Sequence, residues 1–420
     1  MTWLSTSWRR RNPRSWWVID DFFPNLLTGF RVAEYNALLR HFPGLSIAST
    51  YGGFDEAHAA YAALYPQFAP RVQRFSPPLL AGCPLVYVNF LNNAVAYLPW
   101  LLEHRVPFVT TLYTGGGFGL HEAASDAKLA QLLAAPGLRE LIVTQSVTRD
   151  YARARAPRAL PITEIFGVVV NPVYFQSGPP RAWYGQGKPT LDIAFVAEKY
   201  MARGENKGFP AFVGGLARAL AGLKHPQDLR VHVVGSFESA DWREVAPADA
   251  PDLSQWPGGV RFHGRLETSQ LRTLMHGIDL VVSPNVPGAL HSGNFDGFPT
   301  GCCVEAALCG VAFAATDPLG LSQGRFVDGE HYLRLEPGAR AVAAAVLELA
   351  AHPLRIAAIG QAGQAVARRL FAPALQIGGR IAVLESHLAG RGLPGERSAA
   401  GAADASAADA RAGVSARRVT

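Results

Sequence analysis

Short β-branched runs alternate with helical segments from end to end of this 420-residue chain, and that alternation constrains the fold more than any other feature. Trp17-Val18-Ile19 leads into a helical stretch over 31–40, and a strand over 85–90 leads into a helix over 94–103. Residues 106–111 run into a glycine loop, and 141–144 precede a helix over 146–155. After Gln176-Ser177-Gly178-Pro179-Pro180 the pattern restarts. Strands are expected over 191–196, 229–235, 260–264, 280–283 and 311–316, with helices over 209–223, 269–276 and 302–309. Strands alternating with helices build parallel sheets covered by helices on both faces. Two such runs around a Pro/Gly linker predict an α/β protein of two Rossmann-like domains, 16–175 and 176–389, facing each other across a cleft. Open α/β sheets bind ligands outside the carboxyl ends of their strands, so the cleft is the expected site.

The charge of the chain sits at its ends. Residues 1–15 hold Arg9, Arg10, Arg11 and Arg14 and no acid, while residues 390–420 hold five arginines and three acids. Residues 16–389 carry 30 basic and 30 acidic residues. A neutral body argues against a nucleic-acid groove, which needs a basic stripe on the fold itself. Trp3, Trp8, Trp16 and Trp17 interleave with the N-terminal arginines, a composition suited to a headgroup interface. The arm 1–15 is therefore expected to touch a membrane surface peripherally. Residues 390–420, rich in Ala, Gly, Ser and Arg without periodicity, read as a disordered tail.

Export and membrane-spanning segments are not expected. Arg9-Arg10-Arg11 is followed by a run too short and too acidic for a signal peptide. The longest uncharged stretch, 75–102, contains Pro77, Pro78, Pro84 and Pro99 and parses as a strand and a helix rather than one spanning helix. Four cysteines make no disulfide framework. Cys302, Cys303 and Cys309 lack zinc-site spacing and read as small buried helix residues. A reducing cytoplasm is the expected compartment.

Which ligand the cleft takes depends on its loops. The turn from Asp20 to Arg31 holds one glycine, Gly29, where a nicotinamide fold needs Gly-x-Gly-x-x-Gly. Gly115-Gly116-Gly117-Phe118-Gly119 follows a later strand, and no Walker lysine motif exists. Dehydrogenase and P-loop chemistry are thereby disfavoured. The informative segment runs from Asp296-Gly297-Phe298-Pro299-Thr300-Gly301 through Cys302-Cys303-Val304-Glu305 to Val311. Its glycines expose amides where a helix begins, and a helix N-terminus attracts anions. Glu305, in the opening turns of that helix, can accept hydrogen bonds from vicinal hydroxyls, as an acid does for ribose in dinucleotide folds. Phosphate-binding amides beside a diol-binding acid describe a nucleotide-sugar site.

Residues from about Phe195 to Asp317 resemble the donor-binding domain of GT-B glycosyltransferases, the large retaining group called family four. The acidic–Gly–Phe–Pro loop, the Glu305-Ala306 helix and the Cys309-Gly310-Val311 strand entry carry the likeness, together with Lys199 at a strand end and Lys207-Gly208. The resemblance implies that Glu305 holds the ribose and that Asp296, Gly297, Phe298, Pro299 and Thr300 hold the donor sugar. It implies that Lys199 and Lys207 bind the diphosphate, with Arg203 a competing candidate for the first cation. Two features depart from the pattern. Eight residues separate Asp296 from Glu305 where the family has seven, and Tyr113 stands near where the family commonly has His. Tyr113 can still hydrogen-bond the donor sugar; His121 is expected to be an exposed structural residue.

Gly29 and Arg31 open a helix at the end of the first strand, so its amides and Arg31 are expected to face the diphosphate or an acceptor phosphate. Glu34, one turn on, is expected to pair with Arg31. No Asp-x-Asp is present, so no metal is expected and cationic side chains take the charge role; no other cofactor is expected. The sequence thus points to a retaining, metal-independent glycosyltransferase. It would move a sugar from a nucleotide-diphospho-sugar to a glycan or lipid-linked acceptor in cell-surface polysaccharide synthesis. The alternative is a catalytically weakened GT-B protein that binds a nucleotide sugar without turnover.

Overall fold

The computed structural model describes residues 15–389. Nearly all of the expected basic arm, with the membrane contact expected of it, and the whole of the tail from 390 lie outside the described residues. Of the tryptophans read as suited to a membrane surface, Trp16 and Trp17 belong instead to the first strand, with Trp16 buried in the core.

Seven parallel strands form the first sheet in the order Val72–Arg74, Leu45–Ser49, Trp16–Asp20, Val86–Asn89, Phe108–Leu112, Leu138–Val143, Ile162–Glu164. The central strands are buried on both faces, the continuous apolar run that a helix-covered parallel sheet requires. Chain order reverses between Trp16–Asp20 and Val86–Asn89, and such a switch point opens a crevice at the strands' carboxyl ends. Asp20-Asp21 and Asn89-Phe90 stand there.

Six parallel strands form the second sheet: Val260–Phe262, Leu229–Val234, Leu191–Val196, Leu280–Ser283, Ala312–Thr316, Leu333–Leu335. Its switch point lies between Leu191–Val196 and Leu280–Ser283, whose exits carry Glu198 and Asn285. The helix Ala339–Ala351 packs on Phe209–Leu220; Gly215 lets them approach, since a Cβ there would sit 2.7 Å from Val342 Cγ1. An apolar core fills the first domain and continues into residues of the second that meet it, among them Met275, Phe298 and Phe313. A second core, around Phe195, Phe209 and Trp242, lies between the second sheet and its outer helices.

The last helix, Pro373–Leu388, follows the second domain in sequence but packs on the first, against Gly29–His41 and Leu138–Val143. His41–Glu385 and His387–Glu140, each 2.8 Å, tie it down. The uncharged stretch 75–102 divides into the strand Val86–Asn89 and the helix Leu91–Glu103. Among the described residues no single helix is long and apolar enough to cross a membrane.

Candidate active site in the cleft between the domains

The carboxyl ends of both sheets face a cleft of about 760 Å³ lined from both domains. On the second-domain wall, Lys207 lies in the short turn Glu205–Lys207, flanked by Gly204 and Gly208 at φ 66° and 73°. A side chain at Gly208 would overlap the Pro284 carbonyl, so glycine is what lets this turn reach the neighbouring strand exit. Lys207 Nζ donates to Asp296 Oδ1 at 2.8 Å and Oδ2 at 2.9 Å, and Asn285 Nδ2 donates to Asp296 Oδ2 at 2.9 Å. Burial pulls the Lys207 pKa down, but adjacent Asp296 outweighs it and holds the ammonium above its ordinary value.

The helix Gly301–Leu308 starts beside this pair. Thr300 occupies its N-cap without a side-chain cap bond; Thr300 Oγ1 lies 3.2 Å from Ser283 Oγ, Cys302 Sγ and Cys303 Sγ alike. First-turn amides of a helix lack intrahelical acceptors, and Gly301 and Cys302 line the cleft. One turn further, Glu305 does not itself line the cleft, and its half-buried carboxylate has no hydrogen-bond or ion-pair partner among the described residues. Burial, with the Cys302 sulfur nearby, pushes its carboxyl up to about 8.

The first-domain wall is built on Asp20 at the end of its strand. Asp20 accepts from the amides of Phe22 and Phe23, from Tyr35 Oη at 2.7 Å and from Arg31 Nη1 at 2.6 Å. Arg31 Nη1 also reaches Asp21 Oδ1 at 2.7 Å. Burial alone would lower the Arg31 pKa; Asp20 and its neighbours drive it above the ordinary value. The loop Gly115, Gly116, Gly117, with φ of 78°, 56° and 90°, completes this wall. A side chain at Gly116 would overlap the Phe90 ring and one at Gly117 the Asn92 amide. Gly115 bridges to Phe118, while the N–H groups of Gly116 and Gly117 donate to no protein acceptor among the described residues.

Arg31, Tyr113, Lys207, Asp296, Gly297, Pro299 and Thr300 all line the cleft. Several expectations change. Lys199 Nζ is engaged by Asp241 at 2.8 Å, on the helix Ser239–Val245, and does not line the cleft. Arg203 lies outside it, 3.6 Å from Glu244. Gly29 faces the other domain, where a Cβ would meet Thr268 Oγ1 at 3.2 Å, rather than the cavity. The Phe298 ring packs on Phe313, Phe326 and Tyr332 in the core, while its carbonyl accepts from Gln145 Nε2 of the first domain at 3.1 Å.

Glu34 does not pair with Arg31. It is fully buried and accepts from Tyr87 Oη at 2.6 Å and Tyr113 Oη at 2.9 Å, with Arg380 Nε 3.5 Å away. The Tyr113 hydroxyl also receives Arg380 Nη2 at 3.0 Å, so it is committed inside the domain rather than free for a sugar. His121 is exposed and does not line the cleft. Cys303 and Cys309 are buried as expected, but Cys302 is only half-buried and lines the cleft. Sequence reading missed Arg265, a cleft cation held by Glu198 at 3.1 Å, together with Asn285 and Gln145. Arg265 closes the strand run 260–264, a position that offered a signal; Gln145 and Asn285 offered none without the fold.

Residues 215–374 match the family model described as glycosyl transferase-like. The chain has the GT-B fold, and over residues 215–374 it is glycosyl transferase-like. Among solved structures it is similar to Anabaena Alr3699/HepE in complex with UDP and glucose, at 16% identity and TM-score 0.65, covering 88% of this chain and 100% of that one. It is also similar to a glycosyltransferase from Rickettsia africae ESF-5 at 14% identity and TM-score 0.61, covering 89% of this chain and 99% of that one. Sucrose-phosphate synthase from Thermosynechococcus elongatus matches at 15% identity and TM-score 0.57, over 89% of this chain and 100% of that one. At these identities the likeness speaks for the fold. No curated protein sequence matches the chain.

Proposed function

We propose that this glycosyltransferase takes its sugar from a UDP-sugar and passes it to a hydroxyl of a glycan or lipid-linked glycan, with retention and without a metal, in cell-surface polysaccharide synthesis. The observation that carries the reading is the Lys207–Asp296 pair set in the same cleft as the uncommitted amides of Gly116 and Gly117. A buried ammonium and free N–H groups suit a diphosphate, and a carboxylate beside them suits sugar hydroxyls. The HepE structures, which hold UDP or UDP-glucose, support UDP as the nucleotide.

On this reading, the bond between the sugar's anomeric carbon and the diphosphate oxygen breaks, and charge builds on that oxygen. Lys207, Arg265, the Gly116 and Gly117 amides and the N-terminus of Gly301–Leu308 stabilise it as it leaves. The acceptor hydroxyl attacks from the leaving-group side and gives its proton to the departing phosphate oxygen, which keeps the anomeric configuration. Asp296, fixed by Lys207 and Asn285, receives donor-sugar hydroxyls, with Gly297 and Thr300 beside it. Glu305 receives the ribose hydroxyls. Arg265 takes the place expected of Lys199 and Arg203. Four free cysteines favour a reducing, cytoplasmic setting.

The test is hydrolysis of a panel of UDP-, GDP-, ADP- and CDP-sugars without added metal, in wild type and Glu305→Ala. A UDP-sugar that is bound and slowly hydrolysed, with both lost in the variant, is the expected outcome. Binding without turnover in the presence of glycan acceptors would instead favour a binding protein, and no binding by any donor would overturn the reading.

A further inference from the structure

The first-domain wall also bears on the acceptor, provided the donor's nucleotide and sugar lie on the opposite wall as proposed above and only its diphosphate reaches the glycine loop. Among the described residues that line it, only Asp21 and Arg31 are charged. Arg31 Nη1 is shared between Asp20 and Asp21, at 2.6 and 2.7 Å, and Arg31 Nε is sealed from solvent. Two carboxylates and one guanidinium leave this cluster with a net charge of −1. An anion placed here meets a cation already neutralised twice over. Two further cations stand near this wall: Lys128, exposed at the rim, donates to Asn92 Oδ1 at 2.9 Å, and Arg380, fully buried behind Tyr113, is committed to Glu34 and the Tyr113 hydroxyl.

Asp21, by contrast, is presented. Its side chain is 48% exposed, and Oδ1 alone takes both Arg31 and Asn93 Nδ2, the latter at 2.8 Å. The carboxylate is therefore fixed in orientation while Oδ2 has no partner among the described residues. Arg31 Nη2 likewise has no partner among the described residues, so the pair offers both a carboxylate oxygen and a guanidinium N–H. That combination accepts from and donates to one hydroxyl group. The Phe30 and Phe90 rings line the same wall, 5.8 and 4.8 Å from Arg31 Cζ, and offer apolar faces to ring C–H groups.

We infer that this wall is the acceptor subsite, that it takes an uncharged hydroxyl-bearing sugar end, and that Asp21 receives one of its hydroxyls. A phosphate on the acceptor sugar, which the sequence alone allowed opposite Arg31, meets the Asp21 carboxylate and no free cation here, while the glycine-loop amides are taken by the donor's diphosphate.

The test pairs methyl glycosides with the corresponding sugar 6-phosphates, using whichever UDP-sugar the enzyme hydrolyses and reading UDP release. At least one neutral glycoside raises the rate tenfold or more while its phosphorylated counterpart does not. In Asp21→Asn the KM for that glycoside rises at least tenfold with the donor KM changed less than twofold, and Asp21→Glu, which keeps the carboxylate, recovers part of the loss. Stimulation by the sugar phosphates, stimulation by no neutral glycoside, or an unchanged acceptor KM in Asp21→Asn overturns the inference while leaving the donor reading intact. If no nucleotide sugar binds at all, both fall.

Discussion

Glu305 is the residue whose chemistry is most exposed to a direct check. Burial and the neighbouring Cys302 hold its carboxyl near 8, against 4.5 for a free glutamate. On the proposed reading ribose hydroxyls donate to the ionised form, so binding must remove a proton. UDP affinity is therefore expected to rise about tenfold from pH 7 to pH 9 and to level off above the carboxyl's own pKa. Glu305→Gln should flatten that profile in a calorimetric titration. The same raised value acts on folding with the opposite slope. The unfolded chain loses this proton near 4.5 and the folded one near 8, so Glu305 costs stability progressively as pH rises between them. Denaturant midpoints for Glu305→Gln should lose that part of the slope. Glu305, one turn into the helix Gly301–Leu308, stays behind the cleft lining. Lys207 and Asp296 were legible as cleft residues because one lies on a lysine–glycine turn and the other on the loop that opens that helix. Lys199 was not, since the partner that takes it, Asp241, lies 42 residues on and no local pattern links them. Arg31 misled for a related reason: its acids, Asp20 and Asp21, precede it by a turn whose course only the fold sets.

At the scale of elements, the C-terminal helix Pro373–Leu388 is what the sequence concealed. Its hydrophobic face reads as any amphipathic helix, and nothing in it says which domain it covers. The structure places Arg380 inside the first domain, fully buried, against Glu34 and Tyr113 beneath the glycine loop. Removing one partner of such a pair strands a buried charge, which costs about 3–5 kcal/mol. Arg380→Met should lower the unfolding free energy by that order, and Glu34→Gln combined with it should return much of the loss in a double-mutant cycle. If the double variant is no more stable than Arg380→Met, the buried pair is not what the helix contributes. The central strands were legible as continuous apolar runs, several to the residue, such as Leu191–Val196 and Leu280–Ser283. All four edge strands are three residues long; Val260–Phe262 was legible from its apolar residues ahead of a glycine exit, whereas Val72–Arg74, Ile162–Glu164 and Leu333–Leu335 have no glycine that close.

Across the whole molecule, the twin-domain plan and the cleft followed from strand–helix alternation alone, because parallel sheets of this kind put their ligands at the strand ends. How closely the domains meet did not. Leu120 N–H donates to the Gly293 carbonyl at 2.8 Å, Arg325 pairs with Glu164 at 2.8 Å, and Gln145 holds the Phe298 carbonyl. A side chain at Gly293 would overlap the Leu120 carbonyl. Gly293→Val should wedge this edge open, raising the donor KM severalfold while a denaturant titration shows the fold retained; an unchanged KM would mean that closure there does not matter to donor binding. The central claim is that one cleft holds a nucleoside diphosphate through Lys207. Its most direct test is calorimetric titration of UDP into wild type and Lys207→Met. A charge-assisted bond contributes about 1.5–3 kcal/mol, and the variant also leaves Asp296 facing the diphosphate unpaired. The account predicts binding by wild type and a loss of at least tenfold in the variant; equal affinities, or no binding by wild type, would contradict it.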